Sequence, residues 1–100
     1  MKKKFRDYRE KLIQDLQDPE LAKAYLNVAL TDEDPRIFLL ALKNVCEAQG
    51  VEMTELAKKA KLSRENIYRI LSKKGNPKLT SIVSLLNVVG FSLAVQTNKK

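Results

Sequence analysis

The stretch MTELAKKAKLSRENIYRILSKKGNPKLT, residues 53–80, decides how the rest of the chain is read. Two apolar sets recur in it at helical spacing: Leu56, Ala57 and Ala60, then Ile67, Ile70 and Leu71. Only Lys61, Leu62 and Ser63 lie between them. The spacing predicts helices over 53–60 and 64–73, with Ser63 capping the second. Gly75, Asn76 and Pro77 form a turn cluster after it. The small Ala57 lets the two helices cross closely. Leu56, Ala57, Leu62, Ile67 and Ile70 can then close one small core. This turns Arg64, Glu65, Tyr68 and Arg69 outward, with Asn66 on the margin.

An exposed helix with these side chains carries what base edges need. Arginine can donate twice to guanine, asparagine can pair with adenine, and glutamate can accept from the cytosine amino group. A helix also fits the width of the major groove. Arg64, Glu65, Asn66, Tyr68 and Arg69 are therefore the expected base contacts. Lys58, Ser63, Lys73, Lys74, Asn76 and Lys78 flank them and are expected at phosphates, which position a protein without reading sequence.

The charge supports this. The chain has 100 residues and a formal net charge of +7. Residues 1–50 hold nine basic and nine acidic side chains, and residues 51–100 ten basic and three acidic, so the second half carries the whole excess. Residues 58–78 alone hold eight Lys/Arg against Glu65. A neutral half joined to a cationic half suggests two surfaces and two partners, one of them a polyanion. The other reading is a solvated basic face.

Working toward the N-terminus, two punctuation marks repeat. Asp18-Pro19 and Asp34-Pro35 each place a capping side chain before a proline suited to the first helical turn. Helices are expected at 5–17, 19–30 and 35–49. The first carries Phe5, Tyr8, Leu12, Ile13 and Leu16. The second carries Leu21, Ala24, Tyr25 and Val28 on one side. The third is apolar nearly all round, from Ile37 to Ala48, and reads as a central beam ended by Gly50. Cys46 then reads as a small core hydrophobe.

Toward the C-terminus, residues 79–89 read as a helix with Leu79, Ile82, Leu85, Leu86 and Val89 inward, stopped by Gly90. Phe91, Leu93 and Val95 then alternate with smaller or polar residues, a strand pattern over 91–97. A lone strand leaves its backbone groups unpaired. Either the same strand of a second copy pairs with it about a two-fold axis, or it lies as an extended tail on the core. In the first case Phe91, Leu93 and Val95 form the dimer contact. The expectation is one all-α domain over 1–100 of five to six helices. It comprises an N-terminal helical part (5–50), a helix-turn-helix part (51–90) and one short C-terminal strand.

The same residues exclude several classes. There is no His, which removes the Ser-His-Asp triad, the Cys-His pair and the usual zinc site together. No phosphate-loop glycines occur, so no enzyme, cofactor or metal is expected. One Cys cannot form an internal disulfide, which fits a reducing compartment. The apolar runs are far short of the ~20 residues that span a bilayer. Met1-Lys2-Lys3-Lys4 resembles the start of a signal peptide, but a charged segment follows where an apolar one is needed. A soluble, cytoplasmic protein with no membrane contact is expected.

Residues 53–80 resemble the Xre/Cro phage-repressor helix-turn-helix, a lambda-repressor-like fold. The blocks FRDY (5–8), LQDPELAKAYLN (16–27), DPRIFLLALK (34–43) and GNP (75–77) are similar to the addiction-module antidote family, over about residues 5–95. That resemblance implies a small dimeric antitoxin of a type II toxin–antitoxin pair. It would neutralise a RelE/ParE-like toxin and repress its own operon at a palindromic operator. By position it makes Arg64, Glu65 and Arg69 the base readers, with Asn66 and Tyr68 beside them. Two residues depart from the repressor pattern. Met53 stands where glutamine often touches phosphate, leaving Thr54 to take that contact. Lys61 stands where the turn often has glycine, so the turn is either strained or differently shaped. A stand-alone repressor and a module that binds only protein are the other readings. Asp32, Glu33 and Asp34 fit either a basic toxin or a capping loop.

Overall fold

The structure, a computed structural model, describes residues 2–71 and 77–98, and only the backbone of residues 2–6 and of Arg64. The described residues form six helices: α1 (Lys2–Asp15), α2 (Pro19–Leu30), α3 (Pro35–Ala48), α4 (Met53–Ala60), α5 (Arg64–Ile70) and α6 (Leu79–Val88). Their starts follow local chemistry. Asp18 Oδ1 accepts from the Glu20 N–H at 2.9 Å, and Asp34 Oδ1 from the Arg36 N–H at 3.0 Å, with Pro19 and Pro35 next in each helix. Ser63 Oγ accepts from the Asn66 N–H at 3.1 Å and opens α5.

Three helices end alike. After α3 the Val51 N–H reaches Cys46 O at 3.1 Å, after α4 the Leu62 N–H reaches Ala57 O at 2.8 Å, and after α6 the Phe91 N–H reaches Leu86 O at 2.8 Å. This paired closure needs a left-handed residue at the bend. Gly50 and Gly90 supply it at φ 71° and 90°. At the third bend stands Lys61, with φ 59° and ψ 41°. The turn thus keeps its left-handed shape without glycine, at a steric cost of about 1 kcal/mol. Lys61→Gly is expected to raise the melting temperature by about 4–8 °C. An unchanged or lower value in thermal denaturation would contradict that conformation.

One continuous set of buried side chains runs from Leu16 to Val89. α1 and α2 pack on α3, while α4 packs on both α5 and α6. Leu42, Val45 and Cys46 of α3 are fully buried, as are Leu56, Ile67 and Leu85 in the second half. Burial pushes the Cys46 thiol up to about 11, so it stays neutral and inert at neutral pH. Gln49 Nε2 donates to Val89 O at 2.8 Å and ties the end of α3 to the end of α6. Asn44 is buried yet satisfied. It accepts from Arg9 Nη1 at 3.3 Å and donates to Tyr25 Oη at 2.9 Å, while Arg9 Nη2 reaches Glu47 Oε1 at 2.7 Å. This network joins α1, α2 and α3.

Several expectations need correction. α2 carries two apolar stripes, and the structure buries Ala22, Leu26 and Ala29 rather than Leu21, Ala24 and Val28. The alanines let α2 approach α3 closely, which Leu21 and Val28 would prevent. Leu21 and Val28 stay 47% and 70% exposed. α3 is not apolar to the core all round, because Ile37 and Leu40 face solvent. Tyr8 and Leu79 are also exposed, the latter by 69% at the first turn of α6. α5 gives way to its C-cap at Leu71, short of 73. Among the described residues there is no strand, and 91–98 run without regular structure. A strand exists only through its ladder, and one chain offers this segment no second edge.

Candidate nucleic-acid interface

α4, the Lys61 turn and α5 place the candidate residues. Ile67 and Ile70 turn inward against Leu56 and Ala57, so the opposite side of α5 must face out. Glu65, Tyr68 and Arg69 are exposed there, and Asn66 is half-buried. The Asn66 backbone is committed to the Ser63 cap. Arg64 opens α5, and its side chain lies outside the described residues. Thr54, Lys58, Ser63 and Lys78 are exposed. Lys78 stands immediately before α6. Lys73, Lys74 and Asn76 lie outside the described residues.

The charge on this surface is uneven. Lys58, Lys59, Lys61, Arg69 and Lys78 are exposed among the described residues, against Glu55 and Glu65. Glu55 pairs with Lys59 at 3.5 Å, one turn along α4. Such an exposed pair adds little stability but holds one carboxylate near a cation. Thr54 and Tyr68 meet at an open hollow of about 450 Å3 where α3 passes into α4. Lys43, Glu47 and Glu52 also line it. The charge there is mixed, so a phosphate would have to lie on the Lys43 side. Sequence reading missed Lys43 and Glu52 because they sit outside the α4–α5 segment. Their only signal was polar character, Lys43 on the exposed side of α3 and Glu52 immediately before α4.

Of the expected dimer contacts, Phe91 is half-buried against the core, Leu93 is 40% exposed and Val95 is 99% exposed. The segment borders an open groove of about 800 Å3, shared with Leu26, Val28, Leu30 and Leu86. Among the described residues no three His, Cys, Asp or Glu side chains gather to hold a metal. No helix among them is long and apolar enough to cross a membrane.

Among the described residues the arrangement is all-helical, with a cationic face built on two short helices packed on each other. The family described as "Probable addiction module antidote protein" matches residues 8–97, and the chain belongs to it. It is also similar to an uncharacterized protein of Haemophilus influenzae (strain ATCC 51907 / DSM 11121 / KW20 / Rd), 29% identical over 84 residues, which is 84% of each chain. No solved structure matches it significantly.

Proposed function

We propose that this chain is the antitoxin of a type II toxin–antitoxin module. In this reading it is a cytoplasmic binding protein, not an enzyme. It neutralises a RelE/ParE-like toxin and represses its own operon by binding operator DNA as a homodimer. The observation that carries the reading is the antidote-family match over residues 8–97. The DNA part draws on α4 and α5 as a helix-turn-helix. Their packing on each other, the three-residue turn and the outward Glu65, Tyr68 and Arg69 fit entry of α5 into a major groove. The dimer part draws on the tail. Leu93 and Val95 are exposed, and an antiparallel copy would supply the missing ladder.

The test is growth rescue. Inducing the adjacent gene alone should arrest growth, and inducing this chain with it should restore growth, with the two proteins co-purifying. No arrest, or arrest without rescue, would contradict the antitoxin reading. A chain that still bound upstream DNA would then be a stand-alone repressor.

A further inference from the structure

We propose that the groove between α2 and the C-terminal segment 91–98 seats the same segment of a second copy, paired antiparallel about a two-fold axis. The proposal rests on the homodimer part of the reading above and gives that contact a place on α2. The groove is open and holds about 800 Å3. Val28 and Leu30 of α2 and Leu93 of the tail line it, and they stay 70%, 51% and 40% exposed. Val95, two residues past Leu93, is 99% exposed and has no seat in its own chain. Apolar side chains gathered around one hollow are the mark of a contact surface, whereas those scattered singly are not.

The tail's backbone is the first feature that selects the occupant. Among the described residues none hydrogen-bonds to the backbone of residues 92–98, so a row of donors and acceptors stands open beside the groove. Such a row pairs with another extended segment. Charge is the second feature. Each copy carries a net +7, and 31% of its residues are charged, so two copies meet best where charge is sparse. Among the described residues, Lys23 alone brings a charge to the lining, and residues 91–98 bring none. A partner chosen by its charge finds almost nothing to pair with there. Lys99 and Lys100 follow the tail. Antiparallel pairing sends these lysines of the two copies to opposite ends of the ladder, whereas parallel pairing would set them side by side. The third feature is register. With Leu93 on the axis, Val95 of each copy stands opposite the partner's Phe91, which lines the partner's groove. The order across the contact is then α2 of one copy, the two tails, and α2 of the other, which closes as a symmetric pair. No described residue expected at DNA lines the groove, so the pairing leaves the α4–α5 face open.

The test is crosslinking between chains. Cys46, the one native cysteine, is buried and does not interfere. A tagged full-length chain with Val28→Cys and an untagged one with Val95→Cys are mixed, re-equilibrated and treated with a short bis-maleimide. A crosslinked hetero-pair is expected. It should be absent when Leu40→Cys, exposed on α3 outside the groove, replaces Val28→Cys. Separately, Val28→Lys should leave the helical content unchanged and weaken the dimer about a hundredfold by sedimentation. A dimer that forms without the crosslink, that crosslinks equally from Leu40→Cys, or that Val28→Lys leaves intact would overturn the seat while the homodimer stands. A wild-type chain that stays monomeric throughout the concentration series would overturn both. If Val28→Lys keeps the dimer but loses the product of the adjacent gene, the groove belongs to that protein and the proposal is wrong.

Discussion

Leu42→Ala is expected to cost about 2–5 kcal/mol of stability, the range for a buried leucine truncated where the surroundings cannot collapse. Leu42 is 0% exposed in the middle of α3, the helix on which α1 and α2 both pack. Domains of this size have about 5–15 kcal/mol in total, so the loss is a large fraction of it. Urea denaturation should show a lower midpoint with an unchanged slope. Leu40→Ala, two residues away on the same helix, is the control. Leu40 is 53% exposed, and its truncation should stay within about 0.5 kcal/mol. Equal losses at both positions would mean that α3 is buried all round and that no open face exists beside it.

That comparison shows where sequence reading worked and where it stopped. The starts of α2 and α3 were legible because Asp18-Pro19 and Asp34-Pro35 act within one turn of chain. The ends of α3 and α6 were legible at Gly50 and Gly90, which take the left-handed bend without strain. Lys61 left two outcomes open, and the structure takes the strained one. The buried face of α2 was not legible. Leu21, Ala24 and Val28 form as good an apolar stripe as Ala22, Leu26 and Ala29, and only packing against α3 chooses between them. The larger stripe lost because closer approach of the backbones favours the alanines. The tail pattern over 91–97 was legible as alternation, but its ladder depends on a second chain. At the candidate interface, the outward positions of Glu65, Tyr68 and Arg69 followed from the inward Ile67 and Ile70. Lys43 and Glu52 did not follow, because three elements converge on that hollow.

The second large effect is at Arg69. It is exposed on the side of α5 opposite the core, so the fold does not depend on burying it. If α5 enters the major groove, Arg69→Ala removes a guanidinium from the base edges and should cost about 1–3 kcal/mol on the operator. Binding to a scrambled duplex should fall far less, since that binding is phosphate attraction. Thermal denaturation of the variant separates a loss of folding from a loss of contact with DNA. Equal loss on both duplexes would place Arg69 at a phosphate instead.

The measurement that bears most directly on the account is fluorescence anisotropy of the wild type and Arg69→Ala. Both are titrated across a salt series onto the duplex upstream of the gene and onto its scrambled counterpart. The account predicts tight wild-type binding to the upstream duplex, a log K that falls linearly with log salt, and a loss in the variant confined to that duplex. Salt-insensitive binding, or equal affinity of the wild type for both duplexes, would contradict it.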